Sequence, residues 1–289
     1  MNAALRPDDA RLRVGVVSAG RVGSVLGAAL LRAGHEIVAA SAVSEASLAR
    51  AAQLLPGVAI VPPDEVVAAS TLVLLAVPDD ALGPLVQGLA DVDAFRPGQI
   101  VVHTSGRHGL AVLEPAEGVL PIALHPVLPF TGTDVDLQRL YGASFGVTCP
   151  EVLRPIAEAL VVEMGSEPVW VLDELRPLWH AALSHGANHL VTLVSSASDL
   201  LRQAGAEDPA AVLAPLLGAA LDGALRSGDA ALTGPVSRGD AGTVAAHLAA
   251  LPEEIRPVYL ALARLTADRA LASGRLGAQQ AEPLLGVLS

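Results

Sequence analysis

Two sets of side chains in this sequence are arranged for chemistry: small residues that could hold a phosphate, and histidines that could move a proton. The stretch VVSAGRVGS, residues 16–24, nearly spells G-x-G-x-x-G, with Ser18 in the first glycine position and Gly20 and Gly23 in place. In that fingerprint the first glycine makes a tight turn, the second lets backbone approach a pyrophosphate, and the third lets a helix pack on a strand. The last two functions are kept, and a serine hydroxyl at the first position could cap the helix or face a phosphate. Gly20, Arg21, Val22 and Gly23, with Ser18, are therefore the expected pyrophosphate contacts. About 20 residues on, where an acid would hold the ribose hydroxyls of NAD, the sequence reads AASAVSEAS. Ser41 and Ser44 leave room for a 2′-phosphate and Arg21 supplies counter-charge, which favours NADP, while Glu45 keeps NAD open. The alternative is that these serines only solvate a loop.

AVPDD, residues 76–80, places Val77 and Pro78 at a strand's carboxyl end, the edge where open α/β sheets bind ligands; Asp79 or Asp80 is expected to cap the helix that follows. HTSG (103–106) and LHP (124–126) end two further strands near where a nicotinamide would reach. Reduction of a carbonyl or imine needs a proton, and histidine suits that near neutral pH. His103 and His125 are thus candidate donors, with Ser105 beside the substrate, against the alternative of buried structural histidines. In WHAALSHGANH, His180, Ser184 and Asn188 recur every four residues and share one polar helix stripe; His185 and His189 point elsewhere. In LTGPVSRGD, residues 232–240, Thr233 and Ser237 offer hydroxyls and Arg238 could clamp a substrate carboxylate in a bidentate fork, or else pair with Asp240.

The elements that must position these groups read as α/β. LRVGVV (12–17), HEIVAA (35–40), VAIV (58–61), TLVLLAV (71–77) and QIVVHT (99–104) are continuous apolar runs bounded by Gly, Pro or Asp, as in a parallel sheet covered on both faces. Three more strands are expected at PIALHP, SFGVTC and EPVWVL, with a helix over 150–164 between the last two. This is a doubly wound, Rossmann-like domain over 1–172. Beyond residue 173 only helical patterns follow, over 174–203, 209–226, 242–251 and 253–272, so 173–289 is expected to be an all-helical domain. Asp240 is placed to cap the third of these helices.

Composition narrows the function. The 289 residues are 52% hydrophobic and 2% aromatic with net charge −12, which disfavours nucleic acid both by repulsion and by the scarcity of stacking platforms. All 18 basic residues are arginines, so a catalytic amine is excluded. Cys149 is the single cysteine and cannot form an intramolecular disulfide. The N-terminus lacks the order of a signal peptide, and the most apolar stretches are cut by Arg32, Asp199 or Asp222, so a cytoplasmic protein without a membrane span is expected.

In the order AGRVG, AVPDD, HTSG, LHP, WHAALSHGANH, ALTGPVSRGDAGTVAAHL, residues 11–275 resemble a bacterial family of presumed oxidoreductases that joins a Rossmann-like domain to a helical domain of unknown function. That family is similar to the 6-phosphogluconate dehydrogenase-like group, which includes pyrroline-5-carboxylate reductases, ketopantoate reductases and β-hydroxyacid dehydrogenases. The resemblance implies an NAD(P)H-dependent reductase of a small carboxylate-bearing carbonyl compound, with a ketopantoate-like 2-oxoacid as the best guess. It also implies a homodimer through the helical domain, and an active site lined by that domain's first long helix. Ketopantoate reductases and β-hydroxyacid dehydrogenases carry a lysine one helical turn before an asparagine; if Asn188 matches the asparagine, Ser184 stands in the lysine's place. Proton transfer then falls to His180, His125 or His103, with Asn188 orienting the substrate. Otherwise the chemistry is imine reduction, or the protein binds nucleotide without turnover.

Overall fold

A computed structural model describes residues 11–289. Most of the N-terminal stretch read against a signal peptide lies outside these described residues. Seven strands, β1 (Arg13–Val17), β2 (Glu36–Ala40), β3 (Leu72–Leu75), β4 (Ile100–His103), β5 (Leu120–Pro126), β6 (Ser144–Thr148) and β7 (Glu167–Trp170), form one sheet in the order 2-1-3-4-5-6-7. All neighbours are parallel except β5 and β6. The strands read as unbroken apolar runs because both faces are buried. On one side Val14, Val16, Leu74 and Val102 join one core, and on the other Val17, Val73, Leu75 and Val101 join a second.

The covering helices are α1 (Arg21–Arg32), α2 (Glu45–Leu54), α3 (Pro63–Ala69), α4 (Asp79–Asp91), α5 (Asp134–Arg139) and α6 (Arg154–Glu163). The fold is doubly wound, mostly parallel and Rossmann-like. Strand order reverses between β1 and β3, and such a switch point opens a crevice at the strands' carboxyl ends. One expected strand is missing. VAIV contributes a single parallel bridge, Ala40 to Ile60, beside β2. Gly57, at φ 78°, turns the chain just before it, and Pro62 and Pro63 follow, the first without an N–H to extend the ladder and the second opening α3.

The described chain divides into two compact units after Leu190, not at 172/173 where strands cease. Helix α7 (Arg176–Leu183) stays with the sheet because Arg176 and Trp179 bond to strand residues. The helix expected over 174–203 is a 3-10 turn, α7, a π-helical turn (Ser184–Asn188) and α8 (His189–Gln203).

In the second unit follow α9 (Pro209–Ser227), α10 (Gly234–Arg238), α11 (Ala241–Ala250), α12 (Arg256–Ala272) and α13 (Ala278–Leu288). Val244, Ala267, Ala270 and Leu284 form its core. Asp240 caps α11 as expected, accepting from Thr243 N at 3.1 Å. The short α10 was unforeseen inside a segment so rich in turn formers. Helix α9 buries only Pro209 and Leu213 and leaves Leu216, Leu221 and Leu225 exposed. Among the described residues, Pro209–Arg238 is the helical stretch long and apolar enough, by length and composition, to cross a membrane, yet it contains the Asp222–Arg226 ion pair at 2.7 Å.

Candidate active site

The glycine turn leaves β1 at the switch point. Ser18 adopts φ 74°, the left-handed geometry for which the fingerprint reserves glycine, so the serine holds the turn at some backbone strain. Its N–H donates to Ser41 Oγ at 2.9 Å, and Ala19 N donates to Ser41 O at 2.7 Å, tying the turn to the end of β2. Gly23 is required by packing: a Cβ there would lie 2.1 Å from the Ser18 carbonyl oxygen and 3.0 Å from Ala76 Cβ. Gly20, by contrast, would meet nothing nearer than Ser18 Oγ at 3.5 Å, which leaves an open backbone face at the start of α1. Helix α1 has no side-chain cap and no acid in its first turn, so its N–H groups and dipole are available to an anion. The residues present fit a dinucleotide pyrophosphate.

Ser41 and Ser44 are positioned otherwise than expected. Ser41 is buried with its hydroxyl engaged in the turn, and Ser44 caps α2, accepting from Ser47 N at 3.2 Å. A different feature marks that end of the crevice: a Cβ on Gly132 would stand 2.7 Å from Arg50 Cδ and 2.9 Å from Arg21 Cγ, so two arginine side chains converge there. Asp79 and Asp80 do not cap α4 but lie in its first turn behind Pro78, with Asp80 bonding Arg107 at 3.0 Å.

Along the same sheet edge, Val17 pairs with Leu75, Leu75 with His103 and His103 with Ala123, two residues before His125. His125 opposes Gly146 across the antiparallel β5–β6 pair. Trp179 seats its indole there, because a Cβ on Gly146 would lie 2.7 Å from its Nε1. That Nε1 donates to His125 Nδ1 at 3.2 Å. Indole can only donate, so Nδ1 is an acceptor and neutral His125 carries its hydrogen on Nε2. The His180 ring stands edge-on to His125 with centroids 5.5 Å apart. Gly106 lies beside both: a Cβ on it would come within 2.8 Å of His125 Nε2 and 2.7 Å of His180 Cδ2. His125, His180 and Gly106 thus form one cluster.

Residues 1–126 match the family model of a Rossmann-like domain, and residues 143–266 match that of a domain of unknown function, DUF2520. The chain joins a Rossmann-like domain to a DUF2520 domain. None of the curated proteins matches it. Among solved structures it is similar to a candidate NADP oxidoreductase from Bacteroides fragilis, at 22% identity and TM-score 0.75 over 89% of this chain and 98% of that one. A protein from Thermotoga maritima is similar at 20% identity and TM-score 0.65, over 90% and 99%. A pyrroline carboxylate reductase from Plasmodium falciparum with NADP bound is similar at 11% identity and TM-score 0.55, over 96% and 98%. At these identities the likeness establishes the fold.

Within the Rossmann-like unit, the other expected site residues divide. The His103 side chain is fully buried at the end of β4. Ser105 is buried, and its hydroxyl accepts from Arg107 N at 3.2 Å and His108 N at 3.0 Å, so it shapes the loop. Ser184 and Asn188 bound a π-helical turn. Asn188 is exposed and makes no hydrogen bond to the histidine pair among the described residues. His185 and His189 are exposed and bond each other, Nδ1 to Nδ1, at 3.1 Å. Arg238 lies in the second unit.

Sequence reading missed Arg176, which is fully buried. It donates from Nε to His108 O at 2.6 Å, from Nη1 to Thr148 Oγ1 at 3.0 Å, and from Nη2 to Ser105 O. Its place four residues before His180, at a helix start, was the available signal. Burial, only partly offset by Asp173 and Asp79, lowers its pKa to about 10, so it stays cationic.

Burial, aided by the Arg176 charge, brings His103 down to about 3; burial, then His180 and Arg176, brings His125 down to about 4. Both are neutral in the fold at physiological pH, whereas the unfolded chain protonates them near 6.5. Their contribution is whole above pH 6.5 and is lost as pH falls towards the folded values. At pH 5 each should cost about 2 kcal/mol of stability relative to pH 8. Urea unfolding across that range checks this, and His103→Leu should flatten the slope; an unchanged slope would refute the burial argument.

Proposed function

We propose that this chain is an NAD(P)H-dependent oxidoreductase that reduces a small carboxylate-bearing carbonyl compound, with a ketopantoate-like 2-oxoacid as the first candidate. The observation that carries the reading is His125, neutral and protonated on Nε2, standing with His180 at the sheet edge that also bears the glycine turn. The fold shared with an NADP-bound reductase supports a nicotinamide coenzyme. Arg21 and Arg50, converging at Gly132, favour the 2′-phosphate of NADP.

Gly20, Arg21, Val22 and Gly23 hold the pyrophosphate through the N–H groups opening α1, and Val77 and Pro78 border the crevice. A bound nicotinamide would supply the hydride, and solvent the proton that completes the alcohol. His125 Nε2–H hydrogen-bonds the substrate oxygen as negative charge develops there, without giving up its proton, and a neutral donor fixed in place before reaction needs no reorganisation. His180 supplies the second polar edge. A second reading rests on the same lowered pKa: a histidine neutral down to about pH 4 is a hydrogen-bond donor and not a strong acid, which suits a cyclic imine that arrives already protonated.

For the exposed face of α9 we assign a second copy of this chain. Its residues Leu216, Leu221 and Leu225 are exposed, and its Asp222 and Arg226 neutralise each other, leaving an uncharged surface that matches itself. We assign the cytoplasm, where the coenzyme is supplied. Purified protein should sediment as a dimer and oxidise NADPH, in preference to NADH, with one member of a panel of 2-oxoacids and cyclic imines. Coenzyme binding without turnover on any member would instead indicate a nucleotide-binding dimer, and no binding would remove the reading altogether.

A further inference from the structure

We propose that the second unit carries an oxyanion site built from Arg238 and Arg275, which takes a carboxylate or phosphate group. Both arginines line one recess of about 390 Å³, together with Leu232, Thr233 and Ser237. The unit's other arginines all have partners: Arg202 with Asp199, Arg226 with Asp222, Arg269 with Asp229, Arg256 with Leu251 O and Arg264 with Leu288 O. Among the described residues Arg238 and Arg275 alone in this unit have none. That is unexpected in a chain with 30 acids and 18 arginines, where carboxylates are in excess.

The nearest acid in sequence is committed elsewhere. Asp240 accepts from Thr243 N at 3.1 Å and Thr243 Oγ1 at 2.7 Å, and these bonds hold its carboxyl below the usual range, with Arg238 a lesser influence. The fold brings the two arginines together through Gly239. At φ 73° it ends α10, and a Cβ on it would lie 2.8 Å from Gln280 O and 3.0 Å from Leu276 Cδ1. Only glycine lets the loop after Arg238 lie so close to the segment after Arg275. Ser237 donates to Gly234 O at 3.1 Å, whereas the exposed Thr233 makes no capping bond and keeps its hydroxyl for a ligand. Two guanidinium groups sharing one recess repel until an anion lies between them, and each presents a fork matched to two oxygens.

The carboxylate arm of this site rests on the substrate proposed above, so its test omits the coenzyme. Full-length protein is titrated calorimetrically at low ionic strength with inorganic phosphate and, separately, with 2-oxoisovalerate. At least one should bind; Arg238→Met and Arg275→Met should each weaken it about 10-fold or more, one charge-assisted fork being lost. The urea midpoints of both variants, whose arginines are exposed, should match the parent. Binding of phosphate alone would assign a phosphorylated ligand, and of the oxoacid alone a carboxylate; either supports the site. Equal binding by parent and variants, or no heat from either probe up to about 10 mM, would overturn it. NADPH oxidation without anion binding refutes this site and leaves the oxidoreductase reading intact, whereas anion binding without NADPH oxidation does the reverse.

Discussion

Arg176→Met is expected to lower the unfolding free energy of the Rossmann-like unit by about 3–5 kcal/mol, the largest effect of any single substitution argued for this chain. Methionine fills much of the arginine's volume, so the loss comes from what remains. The carbonyls of Ser105, His108 and Gly146 and the hydroxyl of Thr148 all accept from this one guanidinium. Each buried acceptor left without a donor costs about 1–3 kcal/mol, and removal of an unpaired buried charge recovers only part of that total. The melting temperature should fall by about 10 °C. The same change also removes the positive charge that helps keep His103 and His125 neutral, so the acid sensitivity of the variant should be reduced. Calorimetry at pH 8 measures the first effect; a loss below about 1 kcal/mol would show that water replaces the guanidinium without penalty.

What could be read from the sequence follows from which interactions are local. LRVGVV, TLVLLAV and QIVVHT announce themselves because strands buried on both faces must be apolar throughout. VAIV carries the same signature, but its ladder is cut short by Pro62 and Pro63 downstream, a decision made by flanking residues. The turn itself was legible at Gly20 and Gly23, whereas the backbone partners of Ser41 and Ser44 were not, because serine serves backbone N–H groups as readily as ligands. The π turn at Ser184–Asn188 leaves no mark on an apolar pattern, so the sequence reads as one uninterrupted helix over 174–203. Trp179 could not be linked to His125 in advance: the contact spans 54 residues and depends on a glycine on a third element, Gly146. Residues that bond to ligands and residues that bond to the chain are of the same types, and only long-range packing separates them.

That packing makes the second large prediction sharp. His125→Phe keeps a planar ring against Trp179 and Gly106 but removes the Nε2–H, so kcat should fall about 10²–10³-fold with coenzyme affinity within about twofold, the loss expected when one donor to a developing oxyanion is deleted. Trp179 touches only the far nitrogen and acts by positioning. In Trp179→Phe the ring is free to exchange tautomers, and neutral His125 loses the donor that favours it, so its pKa should rise. The expected result is a smaller fall in kcat, about 10-fold, with the His125 ring titrating at higher pH when followed by NMR. A purely structural role for Trp179 would lower stability without moving that titration. If His125→Phe retains full turnover, the developing oxyanion is held by another donor, and His180, with its ring centroid 5.5 Å away, becomes the group to replace next.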